Sequence, residues 1–85
     1  MGELSKLNNI GERVEEQLNQ VGIYSEEELQ LIGAKEAWLR IQSIDESACI
    51  HRLLALEGAI CGVKKTVLPE EKKNELKEFY RNHKI

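Results

Sequence analysis

Apolar residues stand at Ile10, Val14, Leu18 and Val21, a spacing of four, four and three that lines one face of a helix. An amphipathic helix is therefore predicted over Ile10 to Val21. Glu12, Glu15 and Glu16 fall in its early turns, where the helix dipole favours negative charge, and Gly22 follows as a stop. In Ser25-Glu26-Glu27-Glu28 the serine can cap a new helix while Glu28 reaches back to the Ser25 N–H, so a short second helix is expected over Glu26 to Ile32. Gly33 interrupts it, and Ala34, Ala37, Trp38 and Ile41 restart the period in a third. Ser43 with Glu46 reads as a second capping box ahead of Ile50, Leu53, Leu54, Leu56, Ile60 and Cys61. That string wraps most of a helix surface, which makes the fourth helix central, and it ends at Gly62. Leu68-Pro69-Glu70-Glu71 starts a fifth, because proline at a helix start has its φ preset and no N–H to leave unpaired. Leu76, Phe79 and Tyr80 give that helix one apolar edge, and its basic end suits a C-terminus. No alternating, β-branched run is long enough for a strand. The expected fold is all-α, a compact bundle of about five short helices in one domain spanning residues 1–85.

Length agrees with a single core, since 85 residues rarely divide into two. With 41% hydrophobic and 32% charged residues the chain has the apolar content that disordered chains lack. No uncharged apolar run approaches the roughly 18 residues that cross a bilayer, and Met1 to Asn9 lacks the apolar stretch of a signal peptide. A cytoplasmic protein with no membrane partner is the expectation.

Charge changes the picture more than composition does. The net charge of −3 divides into five Lys/Arg against eleven Asp/Glu from Met1 to Val63, and seven against four from Lys64 to Ile85. An acidic body weakens any claim of strong, sequence-independent affinity for nucleic acid, which rests on cations displacing counterions from phosphates. The basic footprint is C-terminal: Lys64 and Lys65, then Lys73, Lys77, Arg81 and Lys84, the last four spaced to share one helix face. This stripe is a candidate partner-binding surface, and the competing expectation is a solvated face bridged to Glu70, Glu71, Glu75 and Glu78.

A second candidate lies in an internal echo. Asn9-Ile10-Gly11 precedes one helix and Leu31-Ile32-Gly33 another, each with a basic residue two places on, Arg13 and Lys35. Glycine beside exposed helix N–H groups is an anion site, and helix-hairpin-helix modules hold a DNA phosphate in this way. Asn9, Ile10, Gly11, Arg13, Gly33 and Lys35 are accordingly the candidate nucleic-acid residues. The pattern departs from that motif, because Asn9 and Leu31 stand where its first glycine would, and acids follow closely: Glu12, Glu15 and Glu16 in one case, Glu36 in the other.

Cys49 and Cys61 are read as small apolar filler. On one helix their twelve-residue separation spans roughly 18 Å at about 1.5 Å per residue, too far for a disulfide. His51 lies two residues from Cys49, on another side of a helix, and His83 stands alone, so no metal-ligand set is expected. Trp38 is the expected anchor between the third and fourth helices, with Tyr24, Phe79 and Tyr80 at the core or its rim. Nucleophile-elbow and phosphate-loop motifs are absent, and so is an isolated carboxylate pair in an apolar setting. The chain is thus expected to be no enzyme, with no cofactor and no small-molecule substrate.

The ordered set Leu7-x-Asn9-Ile10-Gly11, Leu18-x-x-Val21-Gly22-Ile23, Ser25, Leu29, Ile32-Gly33-Ala34-x-x-Ala37-Trp38, Leu53-Leu54-Ala55-Leu56-Glu57-Gly58-Ala59-Ile60-x-Gly62 and Leu68-Pro69 resembles the C-terminal domain of the TfoX/Sxy family. The likeness runs from about Leu4 to Phe79, and Ala-Leu-Glu-Gly-Ala at its centre is the most specific piece. It implies an all-α domain related to helix-hairpin-helix and SAM-like folds. The family resembled regulates natural competence and is thought to act with the cAMP receptor protein at promoters. Full members carry a separate N-terminal domain that this sequence lacks, so two expectations stand side by side: a stand-alone version, towards which the Met1-Gly2 start leans, and a fragment of a longer chain. A non-enzymatic module of transcription regulation is the leading expectation, acting mainly by protein contacts with a partner such as the cAMP receptor protein. The alternative is a DNA-binding module that contacts phosphates through the 9–11 hairpin and the basic C-terminal helix.

Overall fold

The computed structural model describes residues 4–84. Five α-helices follow in order: α1 (Glu12–Gln20), α2 (Glu26–Ile32), α3 (Ala34–Ile44), α4 (Ile50–Cys61) and α5 (Glu70–His83). Short 3₁₀ turns over Leu4–Lys6 and Lys65–Val67 precede α1 and α5. The described residues contain no strand, and the molecule measures 31 × 27 × 20 Å. The all-α prediction of five helices holds, and the arrangement is compatible with the helix-hairpin-helix relationship.

The central position of α4 follows from its composition. Leu53, Leu54, Leu56 and Ala59 are buried on several sides of it, and α2, α3, α5 and the Lys65–Val67 turn all pack against it. Leu4, Leu18, Ile23, Leu29, Trp38, Ile41, Leu53, Leu56 and Leu76 are fully buried. Each large apolar side chain taken from water in this way contributes about 1.5–3 kcal/mol before the entropy of ordering is set against it.

Glycine ends two helices for an identifiable reason. Gly22 has φ +89 and lets the Ile23 N–H reach back to the Leu18 carbonyl at 2.8 Å, while its own N–H donates to Asn19. Gly62, at φ +73, does the same for α4, with Val63 N–H on Gly58 O at 2.9 Å and its own N–H on Ala59 O. Both are Schellman closures, which pair carbonyls that a helix end otherwise leaves exposed.

Several local expectations need correction. Helix α1 begins at Glu12, two residues later than the apolar spacing suggested; Ile10 is buried in the turn ahead of it. Gly11 caps α1 at φ −99, so it is Asn9, at φ +70, that takes the left-handed conformation expected of a glycine. Asparagine tolerates that region better than other non-glycine residues. The two halves of the internal echo differ as well, because Leu31 and Ile32 lie inside α2 whereas Asn9 and Ile10 lie in a turn.

The Ser25 capping box forms, with Glu28 N–H on Ser25 Oγ at 3.2 Å, but the Glu28 carboxylate accepts the Tyr24 N–H at 2.9 Å rather than that of Ser25. Ser43 and Glu46 form no box. Helix α3 continues through Ser43, whose hydroxyl donates to the Arg40 carbonyl at 2.6 Å, and α4 starts at Ile50 after Cys49 with no side-chain cap. Asp45 organises this turn instead, its Oδ1 accepting the Ser47 N–H at 3.0 Å and hydroxyl at 2.5 Å. Trp38 of α3 is fully buried in the same core as Leu53 and Leu56 of α4, and it also makes edge-to-face ring contacts with α5, at 6.1 Å from Phe79 and 5.5 Å from Tyr80.

Asp45 also joins three elements. Its Oδ2 accepts from Gln17 Nε2 of α1 at 2.7 Å, and Gln17 Oε1 accepts from Arg52 of α4, whose guanidinium lies 3.9 Å from Asp45. The hydrogen bonds from Ser47 and Gln17 hold the Asp45 carboxyl down at about 2, against an ordinary 3.8. A carboxylate whose folded value is depressed stabilises the fold above its unfolded value, and that stability is lost as pH falls through the folded value. Acid unfolding of the wild-type chain should therefore gain a contribution between about pH 4 and 2 that Asp45→Asn lacks, read by helical circular dichroism across that window. Identical pH profiles would remove Asp45 from this role.

Candidate functional site

The N-terminal segment is fastened to α4 by one side chain. Asn9 Nδ2 donates to the Val63 carbonyl at 3.0 Å and lies 3.5 Å from the Ala55 carbonyl, and Asn9 Oδ1 accepts the Lys65 N–H at 3.1 Å. Gly58 makes the approach possible. A Cβ there would stand 2.4 Å from Asn9 Nδ2, 2.8 Å from Val63 O and 3.2 Å from Lys65 Cα. The latch thus fixes the course of residues 63–65 as they leave α4.

That course sets up a groove. His51 and Leu54 of α4, Lys65 and Thr66 of the 3₁₀ turn, and Lys73 and Lys77 of α5 line a concavity of about 370 Å³. Leu54, 9% exposed, supplies an apolar surface, and Lys73 Nζ donates to the Thr66 carbonyl at 2.9 Å. The expected bridging along α5 is mostly absent. Among the described residues Glu75 is the one α5 acid in an ion pair, at 3.5 Å from Lys72 and 2.6 Å from Lys35 of α3. Hydrogen bonding to Lys35 holds the Glu75 carboxyl below its usual value. Lys65, Lys73 and Lys77 have no carboxylate partner among the described residues.

Of the six cations in the candidate stripe, three line the groove. Lys64 is exposed just before the 3₁₀ turn, Arg81 is exposed further along α5, and Lys84 lies over the Tyr80 ring at 5.9 Å. His51 joins Lys65, Lys73 and Lys77 in the groove lining because α4 delivers it to the same concavity. The signal was in the sequence: His51 and Leu54 lie on one helix and the Lys64-Lys65 pair just past its end, but their meeting with α5 depends on the turn at Gly62.

The hairpin candidates are placed differently. The Asn9 amide is engaged as described, Ile10 is buried, and Gly11 and Arg13 are exposed at the start of α1. Gly33 sits between α2 and α3 at φ +86, and Lys35 is held by Glu75 with its Nζ 5.4 Å from the Phe79 ring centre. Beside the hairpin, Glu12, Glu15, Glu16 and Asn19 line a second hollow of about 240 Å³, whose carboxylates oppose an incoming anion. Glu15 is 5% exposed and accepts the Leu4 N–H at 3.1 Å.

Cys49 is half-buried at the α4 N-terminus, while Cys61 is exposed at its last residue, which corrects its reading as buried filler. Desolvation first, and then the hydrogen-bonded Glu57 carboxylate, push the Cys61 thiol upward, away from the reactive thiolate. Among the described residues no group of three His, Cys, Asp or Glu is placed to hold a metal, and no helix is long and apolar enough to cross a membrane.

Fold and site together describe a small all-helical domain with an acidic body and one cationic groove. The chain belongs to the family of the TfoX C-terminal domain, which matches residues 1–80. It is similar to the protein Sxy of Escherichia coli (strain K12), 36% identical over 76 residues, covering 89% of this chain and 36% of Sxy. The chain therefore spans about a third of the length of that relative. Two crystal structures are close in fold as well as sequence. A triclinic form of an uncharacterised protein from Listeria monocytogenes has a TM-score of 0.92 at 47% identity, over 93% of this chain and 90% of that one. A tetragonal form of a protein of unknown function from the same organism has a TM-score of 0.92 at 46% identity, over 94% and 98%. The resemblance to the C-terminal domain of the TfoX/Sxy family read from the sequence is thus borne out.

Proposed function

We propose that this chain is a non-enzymatic interaction module of transcription regulation that works in the cytoplasm through protein-protein contacts made by the groove between α4 and α5. The observation that carries this reading is the convergence of Lys65, Lys73, Lys77 and His51 on Leu54. Cations around an apolar surface suit a protein segment, which offers both kinds of contact; a phosphate backbone offers only charge. The partner is a transcription regulator such as the cAMP receptor protein, and affinity for DNA alone is weak.

DNA binding through the hairpin draws support from one feature, that α1 and α3 both start at a glycine with no side-chain cap on the helix amides. A titration of the isotopically labelled domain separates the readings. With a short duplex at low salt, binding should be no tighter than about 10 μM and the Gly11 and Arg13 amides should stay in place. With the purified cAMP receptor protein, resonances around the groove should move. Submicromolar duplex binding with displaced hairpin amides would overturn the proposal in favour of DNA.

A further inference from the structure

Resting on the protein-contact reading above, we infer that the groove takes an acidic segment of the partner that carries a leucine-sized side chain, seated on Leu54 with its carboxylates reaching Lys65, Lys73 and Lys77. Three observations converge on this occupant. First, Leu54 and the aliphatic stems of the lysines make the concavity mainly apolar, so an anion without an apolar group would leave that surface wet. Second, the three lysines that line it have no carboxylate partners among the described residues, and the one ion-paired α5 acid, Glu75, is already shared by Lys35 and Lys72. Third, the elements that carry these groups are fixed relative to one another. Asn9 holds the backbone at Lys65, Lys73 closes onto the Thr66 carbonyl, and α5 packs on α4. A volume of about 370 Å³ admits one apolar side chain with its flanking backbone rather than a folded surface. An acidic amphipathic helix, with an apolar anchor and carboxylates a turn apart, presents that chemistry in one element.

The remaining exposed cations do not share the arrangement. Lys64, Arg81 and Lys84 lie outside the groove lining, so reversing their charge changes the net charge equally without touching the site. This gives the test its control.

The probe is a fluorescein-labelled peptide of about twelve residues, glutamates with leucine at every fourth position, compared with the same peptide carrying serine for leucine. Fluorescence anisotropy should show the leucine peptide binding about tenfold more tightly than the serine peptide, and Lys73→Glu with Lys77→Glu should weaken it about tenfold or more. Arg81→Glu with Lys84→Glu should change it less than about threefold, as expected for charges outside the contact. Circular dichroism of each variant keeps a folding defect separate from a binding defect.

Equal affinity for the two peptides would overturn the inference, and so would equal loss from the two double variants. A duplex that displaces the leucine peptide from the groove would do the same in favour of nucleic acid. Concentration-dependent self-association abolished by Lys77→Glu would show that a second copy of the chain is the occupant. If the peptide is ignored while the cAMP receptor protein still binds and depends on Lys73 and Lys77, the acidic-segment chemistry falls and the broader function stands.

Discussion

Gly58→Ala should destabilise the fold by about 2 kcal/mol, although alanine is the better helix former. Within a helix the exchange alone gains about 1 kcal/mol. Here the new methyl would meet Asn9 Nδ2 at 2.4 Å and the Val63 carbonyl at 2.8 Å, both held by their mutual hydrogen bond. Overpacking of this kind costs about 1–3 kcal/mol, and losing the Asn9 bond about 1 more. The net effect should lower the melting temperature by on the order of 10 °C for a domain of this size, measured by thermal circular dichroism. Asn9→Gly keeps access to the positive φ while removing the side chain, and it should relieve part of the Gly58→Ala penalty in the double variant. Strict additivity of the two changes would show that they do not meet.

Trp38→Ala is expected to cost about 3–5 kcal/mol, a large share of what a domain of this length has to lose. The side chain is 0% exposed, and its removal strips α5 of the surface against which Phe79 and Tyr80 pack. Trp38→Phe is the informative companion. The indole Nε1 is buried without a hydrogen-bond partner among the described residues, so phenylalanine removes an unpaired donor along with some volume. An unsatisfied buried donor costs about 1–3 kcal/mol, which should offset part of the cavity. Urea unfolding followed by circular dichroism should rank wild type first, Trp38→Phe close behind and Trp38→Ala far below. A Trp38→Phe variant as unstable as Trp38→Ala would contradict this account of the indole nitrogen.

The elements that were legible in the sequence are those set by neighbours along the chain. Ser25 and Glu28, the stop at Gly62, and Pro69 just ahead of α5 announce helix ends through contacts that close within about six residues. The Ser43–Glu46 pair misled because the same spacing lies astride an Asp45 turn, and a local pattern cannot say which of two oxygens organises a turn. What the sequence concealed is what distance in the chain conceals. Asn9 meets Ala55, Val63 and Lys65 across 46 to 56 residues, and nothing near Gly58 says that its missing side chain makes room for them.

The same holds for the groove. The four-residue spacing of Lys73 and Lys77 was visible, but their meeting with Lys65, His51 and Leu54 needs the left-handed turn at Gly62 to bring α5 back along α4. Arg81 and Lys84 continue the stripe in sequence yet pass beyond the groove. The hairpin, which the internal echo recommended, is closed on one side by its own Asn9 latch and faced by Glu12, Glu15 and Glu16 on the other.

The amide shift map of the labelled domain, recorded as purified cAMP receptor protein is added, tests the division of labour between these two surfaces most directly. Displaced signals are expected at His51, Leu54, Lys65, Thr66, Lys73 and Lys77, with Gly11 and Arg13 unmoved. Displacement confined to Gly11, Arg13 and the start of α3, with the α4–α5 groove silent, would contradict it.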